Sequence, residues 1–180
     1  PRPDLARLYA KQANPAQPPV ILIHGILGSR LSDSDTGREV WPGSAWRLLT
    51  HDYRDLTLQI DPATLEPEPG QLRVTGITDR AAGRDFYGKI LQVLSEAGGY
   101  VRGTPGQAVP SGRKQFYVFT YDWRQDNVVT ARALDAFIEQ IRGDYSAPSL
   151  KVDLIAHSMG GLVARYYIRY GTVDVLGDNE

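Results

Sequence analysis

The sequence predicts an α/β fold built on a mostly parallel sheet, and two observations support this prediction. Three short runs have strand character, at 20–23, 116–121 and 152–156, and the first is apolar throughout, as in a strand buried on both faces. Helical patterns alternate with these runs, an order typical of parallel sheets with crossover connections. With 180 residues and 42% hydrophobic content, one domain is expected.

The first element is a central parallel strand at 20–23. From residue 29 to residue 83 the pattern is irregular, apart from turn residues at 33–37 and a short alternation at 72–75 that predicts a strand. We interpret residues 29–83 as a cap-like excursion within the domain.

The later elements alternate between helix and strand. Apolar spacing predicts a helix between Phe86 and the stop signal at Gly98, and another over about 128–143. A third helix is predicted over 159–170. It carries Leu162, Tyr166 and Tyr170 on one face, with Gly171 as the expected C-cap.

Composition and charge exclude several function classes. The 20 basic and 21 acidic residues are spread along the chain, so no nucleic-acid partner is expected. The absence of cysteine excludes disulfides, thiolate metal sites and a cysteine nucleophile. Three dispersed histidines do not support a catalytic zinc site, and no cofactor is expected. No transmembrane run or signal peptide is recognised, which leaves the compartment open between secreted and cytoplasmic.

The strongest chemical signal is the segment 156–160, Ala-His-Ser-Met-Gly, between a strand and a helix. It matches the nucleophile elbow G-x-S-x-G with alanine in the first position. Small residues suit a sharp turn that brings the strand and helix backbones close together. We predict Ser158 as a nucleophile at a helix N-terminus that favours developing negative charge. The alternative is that Ser158 only caps the helix.

A second motif, His-Gly-Ile-Leu-Gly at 24–28, follows the first strand. Acyl-transfer sites of this kind take one oxyanion donor from the residue after the nucleophile and another from a loop after an earlier strand. The predicted donors are therefore the backbone N–H groups of Met159 and Ile26. A plain strand-ending turn is the alternative for the second motif.

The general base and its acid are not found in the chain. A serine nucleophile needs both, and the histidines are His24, His51 and His157. His157 neighbours Ser158 on a turn where adjacent side chains point apart, while His24 is expected to hydrogen-bond its own loop and His51 lies in the excursion. In serine hydrolases whose nucleophile lies on such an elbow, the acid and the base follow the nucleophile in sequence. We therefore expect an Asp or Glu and a His in a missing C-terminal part, with the domain truncated after the elbow helix.

With these residues located, the sequence resembles the lecithin:cholesterol acyltransferase-like family of α/β-hydrolases, which includes lysosomal phospholipase A2-type enzymes. The similar segments are 19–22, 25–31, 86–87, 99–101, 121–124 and 156–161. The resemblance implies a partial α/β-hydrolase domain over 1–180, with a serine acyl-enzyme that transfers an acyl group from a lipid to water or an alcohol. It carries over Ser158 as nucleophile and the amides of Met159 and Ile26 as oxyanion hole. Ala156 and His24 depart from the family's usual Gly and Pro.

Candidate residues for a substrate pocket are His24, Trp41, Trp46, Asp122 and Trp123. The tryptophan-containing stretch suits an acyl chain or contact with a membrane or lipoprotein surface, or else a loop that merely covers the core. Asp122 and Trp123 follow a strand at the edge where ligands gather in α/β folds, although an ion pair of Asp122 with Arg124 that braces this edge is equally open.

The function expected is that of a serine ester hydrolase or acyltransferase acting on lipid acyl esters. Two alternatives stay open: a small-ester esterase or thioesterase of the same fold, and a non-catalytic binding module that has kept the elbow. The residues beyond 180 would discriminate between a complete triad and its absence.

Overall fold

The central element is a four-stranded parallel sheet. The computed structural model describes residues 17–44, 52–63, 70–81, 84–110 and 113–175. The strands of this sheet are β1 (Val20–Ile23), β7 (Val101–Arg102), β8 (Gln115–Phe119) and β9 (Asp153–Ala156). Their order is β7-β8-β1-β9 and every pairing is parallel. The prediction of an α/β architecture with a parallel sheet is confirmed, while the finer assignment to the α/β-hydrolase fold stays a prediction.

Strand β1 lies at the centre of the sheet, as its uninterrupted apolar sequence predicts. Its side chains alternate between the two faces of the sheet because successive residues of a strand point in opposite directions. Ile21 and Ile23 pack in one cluster, whereas Val20 and Leu22 contact residues on the other face. All four are at most 5% exposed. The sheet is therefore covered on both faces, which explains why no polar residue interrupts β1.

In the part of the chain that the structure describes, three helices cover the sheet, and each begins close to where its sequence pattern predicts. Helix α1 (Gly88–Gln92) continues as a π-helical turn over Val93–Ala97, α2 covers Asn127–Asp144, and α3 covers Met159–Tyr170. The side chain of Asp126 caps α2 by accepting a hydrogen bond from the amide of Val128. Within the described ranges, no helix has the length and apolar character needed to cross a bilayer.

The packing of α3 differs from the face that its periodicity suggests. Gly171 has φ 66° and ends the helix, as predicted. The helix buries Gly160, Val163 and Ala164, whereas Leu162 and Tyr170 are exposed. Spacing identifies residues that share a helix face, but it does not tell which face meets the sheet.

The description of residues 29–83 as irregular is wrong in the part that the structure describes. Strands β2 (Ser29–Asp33), β3 (Glu39–Trp41) and β4 (Leu72–Ile77) form a three-stranded antiparallel sheet, in the order β3-β2-β4. The turn predicted at 33–37 joins β2 to β3, and the strand predicted at 72–75 forms the first four residues of β4. The other two strands escaped prediction because they are short and carry polar residues, so that their alternation is too brief to recognise.

The smaller elements are a 3-10 helix at Arg54–Leu56 and the two-residue strands β5 (Arg80–Ala81) and β6 (Arg84–Asp85), which pair with each other. The 3-10 helix lies between β3 and β4 in the chain, whereas β5 and β6 lie between β4 and α1.

Candidate functional site

The elbow after β9 holds Ser158 in an unusual backbone conformation. Its φ is 54° and its ψ is −126°, a region that costs a side-chain-bearing residue about 1–3 kcal/mol. The residue is exposed and immediately precedes α3. Its side chain makes no capping hydrogen bond to the helix. The interpretation of Ser158 as a mere N-cap therefore finds no support, and the strain needs another explanation.

Two glycines allow the elbow to pack directly against the loop after β1. A Cβ atom at Gly160 would lie 2.3 Å from the carbonyl oxygen of His24, and one at Gly25 would lie 2.8 Å from Cβ of Ser158. By contrast, a Cβ at Gly161 would meet nothing within 4 Å. Two of the three glycines near the elbow are therefore required by close backbone approach, and the two predicted motifs are in contact.

The two backbone amides predicted as oxyanion donors have no acceptor in the part of the chain that the structure describes. Met159 is the first residue of α3, where the N–H groups lack partners within the helix. The loop that carries Ile26 folds back through a hydrogen bond from the amide of Gly28 to the carbonyl oxygen of Gly25. The side chain of Ile26 is 57% exposed, so the loop lies at the surface. The role of these two amides as oxyanion donors stays a prediction.

The side chain of His24 is fully buried, which corrects its assignment to a substrate pocket. Its Nδ1 lies 2.8 Å from the carbonyl oxygen of Gly25, so this nitrogen carries the proton and donates it. Nε2 then accepts from the amide of Tyr121, whose ring stacks on the imidazole at 4.2 Å. Burial lowers the pKa of His24 to about 4. A neutral ring with both nitrogens occupied holds the loop and is not placed to act as a base.

Tyr87 is a site residue that sequence reasoning missed. Its hydroxyl oxygen accepts a hydrogen bond from the amide of Gly25 at 2.8 Å and lies 2.9 Å from Nδ1 of His157. Burial raises the pKa of Tyr87. Tyr87 lies in one of the segments that carry the family resemblance, but its role in the site does not follow from the sequence, because its partners are 62 and 70 positions away. Neither His24 nor His157 makes a hydrogen bond to Ser158, and His51 lies outside the described residues.

The two described tryptophans of the predicted pocket brace the segment after β1. The indole N–H of Trp41 donates to the carbonyl oxygen of Leu27 at 2.9 Å, and that of Trp123 donates to the carbonyl oxygen of Ser29 at 3.2 Å. Their rings meet edge to face with centroids 6.0 Å apart. Both are half-buried. Their contact with substrate stays a prediction, and Trp46 lies outside the described residues.

The carboxylate of Asp122 forms an ion pair with the guanidinium of Arg124. Its Oδ1 accepts from Nε at 2.9 Å and its Oδ2 accepts from Nη2 at 2.6 Å, which is a two-point pair. The side chains are 16% and 6% exposed, respectively. This geometry favours the bracing interpretation, and contact of Asp122 with substrate stays a prediction. Across the described ranges, no group of three or more histidine, aspartate or glutamate side chains is placed to hold a metal ion.

Comparison with known proteins places part of the chain in a family. The family model described as lecithin:cholesterol acyltransferase matches residues 80–173, slightly more than half of the 180 residues. The matched range includes α1, β8, α2, β9, the elbow and α3, whereas the loop after β1 precedes it. No curated protein matches the chain.

Proposed function

Since the chain belongs to the lecithin:cholesterol acyltransferase family, we propose that it is a serine-dependent hydrolase or acyltransferase of lipid acyl esters with Ser158 as its nucleophile. Family membership indicates acyltransferase or esterase activity in general, and it supports an α/β-hydrolase fold. The observation that carries the finer proposal is the state of Ser158 at the start of α3. Its backbone is strained, the residue is exposed, and its side chain makes no capping hydrogen bond to the helix. Backbone strain of this kind is concentrated at active sites and binding loops, where the surrounding structure holds it in place.

The proposed reaction begins with attack of Oγ of Ser158 on the ester carbonyl carbon, while a base takes the hydroxyl proton. The carbonyl oxygen then carries a negative charge, and the N–H groups of Met159 and Ile26 would donate to it. Collapse of this intermediate breaks the ester bond and leaves an acyl-serine, while the protonated base gives its proton to the leaving oxygen, which departs as the alcohol. Water or an acceptor alcohol then attacks the acyl group and restores the serine.

The base and its acid are proposed to be a His and an Asp or Glu beyond residue 180. Two facts support this part of the proposal: the imidazole of His24 is buried with both nitrogens engaged, and that of His157 is bonded to Tyr87 through Nδ1. In folds of this type these residues follow the nucleophile in sequence.

A lipid substrate is supported by the surroundings of the loop after β1. Ile26 presents an exposed apolar side chain beside the elbow, and Trp41 and Trp123 lie against the same segment. We propose that these residues face the acyl chain or a lipid surface. A series of p-nitrophenyl esters from acetate to palmitate checks this on the complete gene product. Rising kcat/KM with chain length supports a lipid substrate, whereas a maximum at acetate indicates a small-ester esterase.

The decisive experiment replaces the nucleophile. In the complete gene product, Ser158→Ala should lower kcat by at least about a thousandfold, since the acyl-enzyme cannot form. A fluorophosphonate should label the wild-type protein at Ser158 alone. The matched control is Ser146→Ala, because Ser146 also has a positive φ, 51°, but lies in the turn after α2.

Turnover by Ser158→Ala within tenfold of wild type would contradict the proposal. A complete gene product with neither turnover nor labelling would indicate a non-catalytic module. The 180-residue chain alone should show little turnover, and rapid Ser158-dependent hydrolysis by it would show that an internal histidine serves as the base.

A further inference from the structure

We infer that Tyr87 is a positioning residue for the proposed reaction, because one hydroxyl group joins the loop after β1 to the elbow after β9. The inference rests on the proposed function of Ser158 and adds to it a residue that stands outside both motifs. Tyr87 does not reach the reacting atoms in the proposed mechanism. It acts through the two segments that carry them.

Packing fixes the position of the Tyr87 ring independently of the hydrogen bonds that its hydroxyl makes. The residue lies at the start of α1, is 6% exposed, and packs with Leu22 and Ile77 on one face of the parallel sheet. Aromatic side chains have few rotatable bonds, so burial of the ring fixes the direction of the C–O bond. The hydroxyl is therefore a fixed point at the edge of the sheet.

Two segments meet at this fixed point. The phenol oxygen accepts the amide proton of Gly25 at 2.8 Å, and it lies within hydrogen-bond distance of Nδ1 of His157 at 2.9 Å. Gly25 directly precedes Ile26, and His157 directly precedes Ser158. The hydroxyl thus anchors the residue before each of two groups that must lie on either side of the ester carbonyl.

Removal of the Tyr87 hydroxyl should change the geometry of the site. Gly25 is buried, and a buried amide without an acceptor is costly, so the loop would shift to find one. The carbonyl of His24 would still be held by the hydroxyl of Tyr121 at 2.8 Å, which keeps the loop folded. A small displacement of an oxyanion donor lowers the rate of the chemical step and leaves substrate binding largely unchanged.

The test compares two tyrosines in the complete gene product. Tyr87→Phe removes the anchoring hydroxyl and keeps the ring. The matched control Tyr167→Phe removes a hydroxyl that donates to Oδ1 of Asp135 at 2.9 Å, between α3 and α2. We expect Tyr87→Phe to lower kcat about tenfold, the effect of one hydrogen bond, with KM changed less than twofold. The control should keep kcat within twofold of wild type.

A second readout separates positioning from folding. The amide proton of Gly25 should shift upfield in the nuclear magnetic resonance spectrum of Tyr87→Phe, while titration of active sites with a fluorophosphonate counts folded enzyme. The inference is overturned if kcat per titrated site stays within twofold of wild type, or if Tyr167→Phe lowers it equally. Failure of the proposed function looks different, because Ser158→Ala would then remain active whatever Tyr87→Phe does.

Discussion

After β8, the charged groups of Asp122 and Arg124 bind each other at two points, whereas after β9 the hydroxyl of Ser158 has no partner in the described part of the chain. Both segments leave the same edge of the parallel sheet. The first is closed upon itself, since each carboxylate oxygen already accepts a hydrogen bond. The second is open, since no hydrogen bond engages the hydroxyl of Ser158 or the amide of Met159 within the described residues.

The difference shows that position at the carboxyl edge of a sheet does not by itself make a binding residue. A buried charge must be paired locally because desolvation is costly, so Asp122 and Arg124 stabilise the edge. A neutral hydroxyl at an exposed turn carries no such cost. It can remain without a hydrogen bond inside the protein, which is what a group that reacts with a substrate requires.

The largest effect on stability should come from adding a side chain where the elbow packs against the loop after β1. Gly160→Ala would place a methyl group 2.3 Å from the carbonyl oxygen of His24, which the backbone cannot relieve without moving α3. We expect a loss of roughly 4 kcal/mol in the free energy of unfolding, measured by urea denaturation.

Gly161→Ala is the matched control, because a Cβ atom there meets nothing within 4 Å. It should be neutral or stabilise the protein by up to about 1 kcal/mol through helix propensity. Equal losses for the two variants would show that the close approach of the elbow to the loop after β1 is unimportant.

A smaller loss of stability should follow from breaking the ion pair in the segment after β8. Asp122→Asn leaves the guanidinium of Arg124 buried without a counter-charge, and we expect about 3 kcal/mol of destabilisation in the same assay. The control Glu139→Gln removes a charge from the more exposed pair with Arg142 and should cost less than about 0.5 kcal/mol. If Asp122→Asn is as mild as its control, the pair does not brace this edge.

The smallest effect concerns the loop after β1 and depends on pH. His24 has a pKa of about 4 in the folded protein, against an ordinary value of 6.5. Between these values the unfolded chain binds a proton that the folded chain excludes, so stability rises with pH and falls on acidification. From pH 7 to pH 5 this residue should contribute a loss of about 2 kcal/mol.

The comparison with His24→Gln isolates this contribution, because glutamine can donate and accept but does not titrate. Its unfolding free energy, measured by urea denaturation at both pH values, should change less between pH 7 and pH 5 than that of wild type. A parallel decline in the two proteins would show that His24 does not titrate in the unfolded chain as assumed.

Much of the fold was predictable because the signals were local. The all-apolar run at 20–23 predicted a central strand, and Gly171 predicted a helix end, since each depends on residues adjacent in sequence. The antiparallel sheet was predictable only at β4. In β2 and β3 the alternation is short and polar, and pairing between the strands stabilises them more than their own pattern indicates.

The sequence by itself determined the parallel α/β core and the position of the elbow at Ser158, because strand hydrophobicity, helix periodicity and small residues at a turn act over a few positions. Only the tertiary structure decided that His24 is buried and neutral, that Asp122 pairs with Arg124, and that Tyr87 joins the two motifs. These outcomes depend on groups far apart in the chain that folding brings within hydrogen-bond distance, and no local pattern encodes which of them will meet.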